Sequence, residues 1–388
     1  MWLYILIFLS AVLLCLVAKS LGMQHNKAIL TLSMVGLALF VGLSDMLGGF
    51  DRYVYGQLFD SMADQVTNGN YSIAGSDVAE LYHHEYGYQA YNLILALITR
   101  NRYTFIIITT FIIYLLLYKS IKRYCNDYPF AIIIFMGLWF FFSFTYLRQV
   151  MGATIAWLSI QYILKRDLKK FLLVMAVAVS FHNSAIIFIP LYWIPIRKFS
   201  KNTIYKLMAI ALIIGASGAS SALFNAYGEI DQGRAQTANY ETGFRVAYLI
   251  EAMFLLYIII KRNKDIPDKP VNIVMFNMAV IFCGILLFFI RNANAGRLSW
   301  YYMIGIISTI TYICTNNKRN RSLANMMIVL CFFLYYRILV TWSFMIYPYK
   351  SMLTNGVRQN DPIEIEYEYD HGYDHDKFYR PAFRFMSK

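Results

Sequence analysis

The sequence predicts an all-α, polytopic transmembrane helical bundle of about ten to twelve spans. Its composition supports this prediction, because 59% of the residues are hydrophobic and only 15% are charged, with a mean hydropathy of +0.48. A soluble domain has about 45–50% apolar and about 25% charged residues. Apolar runs also recur along most of the chain, and several reach the roughly 17–25 residues that cross a bilayer as a helix. The third observation is the placement of the charges.

Six short connections between the apolar runs are rich in Lys and Arg: 19–27, 119–127, 165–170, 197–206, 261–269 and 318–321. Together they hold 20 of the 35 basic residues but only four of the 22 acidic ones. The positive-inside rule assigns such connections to the cytoplasm, and all six lie there if the amino terminus is outside. This topology, together with anionic lipid headgroups, explains the net charge of +13, and no nucleic-acid partner is expected.

The topology requires special treatment of two apolar segments. Residues 87–99 are short for a span, so we predict a re-entrant or tilted half-helix that enters the membrane from outside. Residues 171–196 are too many for one straight crossing and have basic clusters at both ends. The sequence FHNSA lies at their centre, which predicts a broken hairpin of two short helices that turns near His182.

We predict a single membrane domain over residues 1–347, with outer loops at 46–86 and 224–243. A polar tail, residues 348–388, would follow on the outside. The first apolar run lacks a basic start and is not expected to be a cleaved signal. His371 and His375 in the tail offer a cation site, but a solvated acidic tail is favoured. The five cysteines show no disulfide or zinc spacing, and no metal is expected.

Ionisable side chains within or beside the spans gather toward the predicted outer side. Ionisable groups at membrane depth usually face a cavity or the bundle interior. Guanidinium groups that lack acidic partners imply an anionic ligand, and their fork geometry suits phosphate. The alternative is that each arginine reaches outer headgroups or pairs with a local acid. The set comprises Arg148, Arg245, Arg291, Arg297 and Arg337, with Glu251 as the one acid.

The stretch ELYHHEYGYQAYN supplies a second group of polar residues. If a helix begins near Glu85, then Glu85, Tyr88, Gln89 and Asn92 share one face at i, i+3, i+4 and i+7. A carboxylate followed by hydroxyl and amide groups suits a sugar site. The alternative is an acid placed at a helix N-terminus because the helix dipole favours it there.

The order of four sequences, HEYGYQAYN, YLRQVMGATIAW, KRDLKK and VAVSFHNSAIIFIPLY, resembles the EpsG family of membrane proteins. These are Wzy-like polymerases of bacterial exopolysaccharide and O-antigen. The clearest resemblance covers residues 45–192, and one departure from the family pattern is His84-Glu85-Tyr86-Gly87, where many relatives have proline between Glu and Gly. The family motifs fall on Glu85, Gly87, Tyr88 and Asn92, on Arg148 and Gln149, on Phe181, His182 and Ser184, and less closely on Arg297 with Tyr301.

The resemblance implies a GT-C-like or Wzy-like bundle in the bacterial cytoplasmic membrane, with its active site facing outside. The implied substrates are oligosaccharide repeat units on undecaprenyl pyrophosphate. A chain-length regulator and a repeat-unit flippase are the partners that the resemblance implies, and no cofactor is expected. Two other classes stay open: a transporter or flippase of lipid-linked sugars, and a cell-envelope ligase or acyltransferase.

Together, charge placement and resemblance lead to a hypothesis of inverting glycosyl transfer. Arg148, with Arg291, Arg297 or Arg337, would bind the pyrophosphate. Glu85 or His182 would take the proton of the acceptor hydroxyl, and the sequence does not choose between them. The residues expected to bind sugar are Tyr88, Gln89, Asn92, Gln149 and Tyr301.

Overall fold

The fold was analysed in a computed structural model, which describes residues 1–45, 50–232, 243–317, 320–347, 349–354 and 376–386. The described residues are 78% helical, and no strand occurs among them. The predicted all-α fold is confirmed. The proposed cation ligands His371 and His375 lie outside the described residues, as do residues 233–242 of the second predicted outer loop and residues 46–49 of the first.

The helices follow one another with short connections. The α-helices are α1 (Trp2–Ser20), α2 (Lys27–Gly42), α3 (Phe50–Thr67), α4 (Asp77–Leu81), α5 (Tyr86–Ile98), α6 (Arg102–Tyr124), α7 (Tyr128–Leu138), α8 (Phe142–Thr145), α9 (Leu147–Leu158), α10 (Ile160–Lys165), α11 (Leu168–Phe181), α12 (Lys201–Ser217), α13 (Ala219–Gln232), α14 (Val246–Lys261), α15 (Pro270–Phe288), α16 (Ala293–Gly296), α17 (Met303–Thr315), α18 (Arg321–Thr341) and α19 (Ser343–Ile346). Four 3-10 helices add Asn183–Trp193, Asn263–Asp265, Arg297–Tyr302 and Arg384–Met386.

Within the described ranges, five helices are long and apolar enough to cross a membrane: Trp2–Ser20, Arg102–Tyr124, Pro270–Phe288, Asn294–Thr315 and Arg321–Thr341. A sixth candidate is the pair α12–α13, which bends by 67°. Three shorter apolar helices are Lys27–Gly42, Tyr128–Leu138 and Asn183–Trp193. The chain is therefore a multi-pass membrane protein, and the larger count of ten to twelve spans stays a prediction.

Breaks inside apolar runs account for the smaller number of long helices. Residues 128–165 contain few charges, yet they form the four helices α7 to α10. α8 lasts a single turn and ends at Tyr146, whose φ of −91° and ψ of 53° are not helical. α9 then begins at Leu147. The break thus places Arg148 in the first turn of a new helix.

The predicted hairpin near His182 is confirmed as a break in the helix. α11 ends at Phe181, and His182 is extended, with φ −157° and ψ 116°. The 3-10 helix Asn183–Trp193 then packs back against α11. α5 begins directly after Glu85, as the spacing of its polar residues predicts.

α9 lies at the centre of the bundle and contacts α6, α11 and both long 3-10 helices. Trp157 on α9 is fully buried, and its ring centroid lies 5.1 Å from that of Trp139. Its indole Nε1 donates to the carbonyl of Tyr301 at 2.8 Å. Because a buried indole N–H needs an acceptor, this bond fixes the 3-10 helix Arg297–Tyr302 against α9.

The two ends of the bundle meet. The hydroxyl of Tyr4 donates to the carbonyl of Ile346 at 2.8 Å, and the hydroxyl of Tyr335 donates to the carbonyl of Tyr4 at 2.9 Å. A short antiparallel bridge joins Ser44 to Ser351. The first and last parts of the bundle are thereby held together by specific hydrogen bonds.

The described parts of the predicted polar tail pack onto the bundle. Residues 349–354 form the bridge with the end of α2, and residues 376–386 lie against α3, α5 and the start of α6. Lys377 is only 1% exposed. These described residues are thus held by partners inside the fold, whereas the acidic stretch 364–376, which the sequence favours as solvated, lies outside the described residues except for Asp376.

Candidate active site

The candidate site begins at the N-terminus of α5, where Glu85 is the N-cap residue and is 4% exposed. Its Oε2 forms an ion pair with Nη1 of Arg148. Its Oε1 accepts a hydrogen bond from the backbone N–H of Asn183 at 3.2 Å. The carboxylate thus joins the starts of three elements: α5, α9 and the 3-10 helix Asn183–Trp193.

Two glycines allow these elements to approach so closely. A Cβ atom at Gly87 would collide with the side chain and backbone of Ser180 on α11. A Cβ atom at Gly152 on α9 would lie 3.1 Å from Cβ of His182. Both positions are helical, so space rather than backbone conformation requires glycine there.

Arg148 is held in an aromatic cage. Its guanidinium carbon lies 3.5 Å from the ring centroid of Tyr82 and 5.7 Å from those of Tyr55 and Tyr88. Burial raises the pKa of the Tyr55 hydroxyl against the opposing effect of Arg148, so this ring is a neutral partner. Such rings attract a cation through their quadrupoles. Nε of Arg148 is buried and has no hydrogen-bond partner among the described residues.

The pairing of Arg148 corrects one premise of the sequence analysis. The outer-side arginines were expected to lack acidic partners, but Arg148 has Glu85. Glu85 was grouped with the candidate sugar-binding residues rather than with the arginines, so its ion pair with Arg148 was not predicted. The alternative that an arginine pairs with a local acid therefore holds for Arg148 in this state.

His182 is oriented by Ser184. Its Nδ1 accepts from the backbone N–H of Ser184 at 3.3 Å and lies 2.8 Å from the Ser184 hydroxyl. Because a backbone N–H can only donate, the neutral imidazole carries its proton on Nε2. The Ser184 hydroxyl also lies 2.9 Å from the hydroxyl of Tyr301. Nδ1 is 3.9 Å from Oε1 of Glu85, too far for a hydrogen bond.

Arg297 is the second arginine at this site. Its guanidinium carbon lies 4.4 Å from the ring centroid of Tyr146, one residue before α9. Its carbonyl accepts from Nε2 of Gln149 at 3.1 Å, which ties it to the residue after Arg148. It makes no ion pair with any acid in the part of the chain that the structure describes. Arg297 therefore retains its capacity for an anion.

The other two predicted phosphate ligands, Arg291 and Arg337, lie on different parts of the bundle. Nη1 of Arg291 donates to the carbonyl of Ala216 at the end of α12, at 3.1 Å. The side chain of Arg337 is exposed on α18. The structure thus unites Arg148 and Arg297 around one site, and it places Arg291 and Arg337 against other helices.

The residues predicted to bind sugar are buried and support the site from behind. Nε2 of Gln89 donates to the carbonyl of Tyr82 at 2.6 Å, and Nδ2 of Asn92 donates to that of Tyr88 at 2.8 Å. Tyr88 itself is 1% exposed and faces Arg148. Gln149 and Tyr301 are likewise bonded within the protein, as described above. These contacts position the 82–85 turn and the arginines, while sugar binding stays a prediction.

The sequence analysis missed the cage residues Tyr55 and Tyr82 and the ring of Tyr146. Tyr82 lies within the polar stretch that drew attention to Glu85, but it falls before the predicted helix. Tyr55 lies on α3, 27 residues before Tyr82, and no spacing in the sequence connects it with Arg148. Among the described residues, no group of three or more His, Cys, Asp or Glu side chains could hold a metal.

Fold and site together define a multi-pass helical membrane protein with a buried cluster of carboxylate, guanidinium and imidazole groups. The family model described as EpsG family matches residues 27–351, a range that contains every residue of the cluster. The chain therefore belongs to the EpsG family, which is a Wzy-like polysaccharide polymerase family. No curated protein and no solved structure matches the chain. Family membership makes it a polysaccharide polymerase of the glycosyltransferase type.

Proposed function

We propose that this protein joins oligosaccharide repeat units carried on undecaprenyl pyrophosphate into exopolysaccharide or O-antigen. The observation that carries the proposal is the convergence of Glu85, Arg148 and His182 from three separate elements, with Arg297 beside them. A transferred glycan needs a group to take a proton and cations to receive a departing diphosphate. This cluster supplies both kinds of group within contact distance of one another.

In the proposed step, a hydroxyl oxygen of the acceptor sugar attacks the anomeric carbon of the donor glycan. The bond from that carbon to the pyrophosphate oxygen breaks, and the lipid pyrophosphate leaves with the electron pair. The hydroxyl proton passes to Glu85. Attack opposite the leaving group inverts the anomeric configuration. The negative charge that develops on the diphosphate meets Arg148 and Arg297, and the step needs no metal.

The hydrogen bonds of His182 support Glu85 rather than His182 as the base. Nδ1 of His182 is already occupied by the Ser184 N–H, so the neutral ring offers a donor at Nε2. His182 is therefore suited to donate to the diphosphate. Both oxygens of Glu85 are engaged in the resting state, one by Arg148 and one by Asn183. Movement of Arg148 to the diphosphate would release one of them for the acceptor hydroxyl.

We place the site at the outer face of the bacterial cytoplasmic membrane. The support comes from the basic connections, which the positive-inside rule assigns to the opposite side. A repeat-unit flippase must then deliver the substrates to that face, and a chain-length regulator would act on the growing glycan. These partners and this orientation follow from the proposal and from the family's role.

The test compares Glu85→Gln and Arg148→Lys with the wild-type chain in cells that lack it. Both variants keep side chains of similar size, and Lys keeps the positive charge but loses the guanidinium fork. We expect single repeat units on the lipid carrier to accumulate. Polymer should fall about 10²–10⁴-fold in Glu85→Gln, which loses the general base, and about 10²–10³-fold in Arg148→Lys, which loses part of the charge stabilisation. The measurement is glycan chain length on extracted lipid, at matched protein levels.

Two matched controls are Glu80→Gln and Arg123→Ala, which change exposed residues of the same types. Both should give normal polymer. Normal long chains from Glu85→Gln and Arg148→Lys would refute the proposed roles. Loss of lipid-linked units from the outer leaflet would favour a flippase, and transfer of finished chains to another carrier would favour a ligase.

A further inference from the structure

The segment 376–386, here called the C-terminal strap, lies across the connection between α5 and α6. Thr99 in that connection donates through Oγ1 to the carbonyl of Ala382 at 2.6 Å. Nδ2 of Asn101 donates to the carbonyls of Lys377 at 2.7 Å and Arg380 at 2.9 Å. Asn101 also caps the N-terminus of α6 through Oδ1. One connection thus ends α5, starts α6 and binds the strap.

Arg384 of the strap caps the C-terminus of α5. Its Nε donates to the carbonyl of Ala96 at 2.6 Å, and its Nη2 donates to the carbonyl of Ala63 on α3 at 3.0 Å. The last carbonyls of a helix have no partners within the helix. A cation at that end satisfies them and interacts favourably with the helix dipole. Arg384 therefore joins α5 to α3 from a position about 290 residues away in the sequence.

Ion pairs to Asp45, Asp60 and Asp64 fix the strap in one place, and the carboxylates of Asp45 and Asp60 are buried. Nζ of Lys377 lies 3.2 Å from Oδ2 of Asp45, and the two side chains are 1% and 7% exposed. The guanidinium of Arg380 lies 3.0 Å from Asp64 and 3.6 Å from Asp60. Burial raises the pKa of the Asp60 carboxyl to about 6, and its two arginine partners oppose this rise. Because that pKa is still below 7, the carboxyl is mainly ionised at neutral pH. A buried charge without its partner is costly, so the strap has one favoured position.

We infer that the C-terminal strap is a positioning element of the active site and that Arg384 is its principal positioning residue. The inference rests on the proposed function, because its consequence is catalytic. α5 has 13 residues and carries Glu85 at the end opposite Arg384. A helix of that length spans about 20 Å, so a tilt of about 3° moves the far end by about 1 Å. A misplacement of about 1 Å can cost about 10²-fold in rate.

The first experiment measures amide hydrogen exchange of the purified full chain in lipid nanodiscs, for wild type, Arg384→Ala, Arg384→Lys and the control Arg123→Ala. In Arg384→Ala we expect the amides of α5 to exchange at least about tenfold faster, since the cap is lost, while those of α7 stay unchanged. Arg384→Lys should lie between, because an ammonium group lacks the guanidinium fork. Unchanged α5 exchange in Arg384→Ala would overturn the inference, whether or not the protein polymerises sugar.

The second experiment restores the strap by a covalent link. The five native cysteines and Thr99 are all buried, so a double variant Thr99→Cys/Ala382→Cys is made in a chain whose native cysteines are changed to Ala, and the pair is linked by oxidation to a disulfide. In that background, Arg384→Ala should lower kcat about 10²-fold and leave KM for the lipid-linked donor within about twofold. Cross-linking should recover most of the lost kcat. A cross-link can also raise overall stability, so kcat is expressed per folded chain; a general loss of stability would lower the folded fraction and leave that kcat unchanged.

Three outcomes would contradict the inference: no cross-link between positions 99 and 382 in active protein, an unchanged kcat in Arg384→Ala, or a loss that the cross-link does not repair. A Thr99→Cys/Ala382→Cys chain that forms the cross-link, with a wild-type Arg384 chain and an Arg384→Ala variant that show the expected difference in exchange, but with no polymer made from lipid-linked units by any of them, would instead refute the proposed function. The two failures are therefore distinguishable.

Discussion

Two buried carboxylate–arginine pairs in this molecule invite comparison: Glu85 with Arg148, and Asp60 with Arg102. In both pairs the carboxylate side chain is less than 10% exposed. Around Asp60, Nε of Arg102 donates at 2.6 Å and Arg380 adds a second cation. These charges join α3, α6 and the C-terminal strap, so the pair serves the fold.

The surroundings of Glu85 differ in kind. The Arg148 guanidinium rests on aromatic rings, and its buried Nε has no hydrogen bond among the described residues. The second arginine, Arg297, makes no ion pair within that same part of the chain. An imidazole donor completes the group. A buried ion pair alone therefore does not identify an active site. The distinguishing features are partners that can be exchanged and a neighbouring cation that remains available.

The largest effect on stability should come from Arg102→Ala. This change leaves Asp60 buried with one cation fewer, and breaking a buried pair costs about 3–5 kcal/mol. Denaturation of the purified protein should show this loss, while the activity of the remaining folded fraction changes little. A variant with wild-type stability, or with stable protein and no activity, would remove the contrast between the two pairs.

Arg297→Ala should show the opposite behaviour. Without this cation the developing diphosphate charge loses one donor, and we expect polymerisation to fall about 10²–10³-fold with near-normal thermal stability. The matched control is Arg337→Ala, which removes an arginine that the sequence also predicted as a phosphate ligand. Its polymerisation rate should stay within about twofold. Equal losses in the two variants would mean that the site is larger than the Glu85 cluster.

Gly87→Ala tests how closely α5 must approach α11. The added methyl group meets the Ser180 backbone as well as its side chain, and overpacking of this kind costs about 1–3 kcal/mol. Both thermal stability and polymerisation should fall, since Glu85 lies two residues away. Gly36→Ala is the control, because a Cβ atom there has open space around it. If Gly87→Ala has no more effect than Gly36→Ala, the close approach is unimportant.

The smallest expected effect is that of Ser184→Ala. It removes the hydroxyl that links His182 to Tyr301, but the backbone N–H that sets the tautomer remains. A net hydrogen bond is worth about 1 kcal/mol, so we expect about a fivefold loss of rate. Ser217→Ala, at an exposed serine bonded within its own turn, should have none. A loss beyond about 10²-fold would mean that the hydroxyl itself transfers a proton.

The sequence identified the residues that the structure brings together, but it did not predict the contacts between them. Glu85, Arg148, His182 and Arg297 were all identified, because a polar residue within an apolar run stands out and because their motifs follow a family order. The pairing of Glu85 with Arg148 was missed, since a contact between residues 63 positions apart leaves no periodic signal. A short sequence period predicts only which residues share one face of a helix. The rings around Arg148 come from three separate elements, so no such period predicts them.

The same limit applies to the fold, where a local break in a helix was predicted but a long-range contact was not. The break at His182 was predicted because a polar FHNSA sequence interrupts an apolar run with basic flanks. The C-terminal strap was not, because Lys377, Arg380 and Arg384 look like solvent-exposed charges when their acidic partners are unknown. Asp45, Asp60 and Asp64 lie more than 300 residues earlier, so only the tertiary structure joins them.

The meeting of Tyr4 with Ile346 has a consequence for biosynthesis. Every residue of the candidate site leaves the ribosome before Ile346 does, so all of them can enter the membrane before the first and last parts of the bundle meet. During that interval the first helix lacks this contact, and the fold stays incomplete until Ile346 has been synthesised. A nascent chain arrested before residue 346 should therefore be a substrate for membrane quality-control proteases.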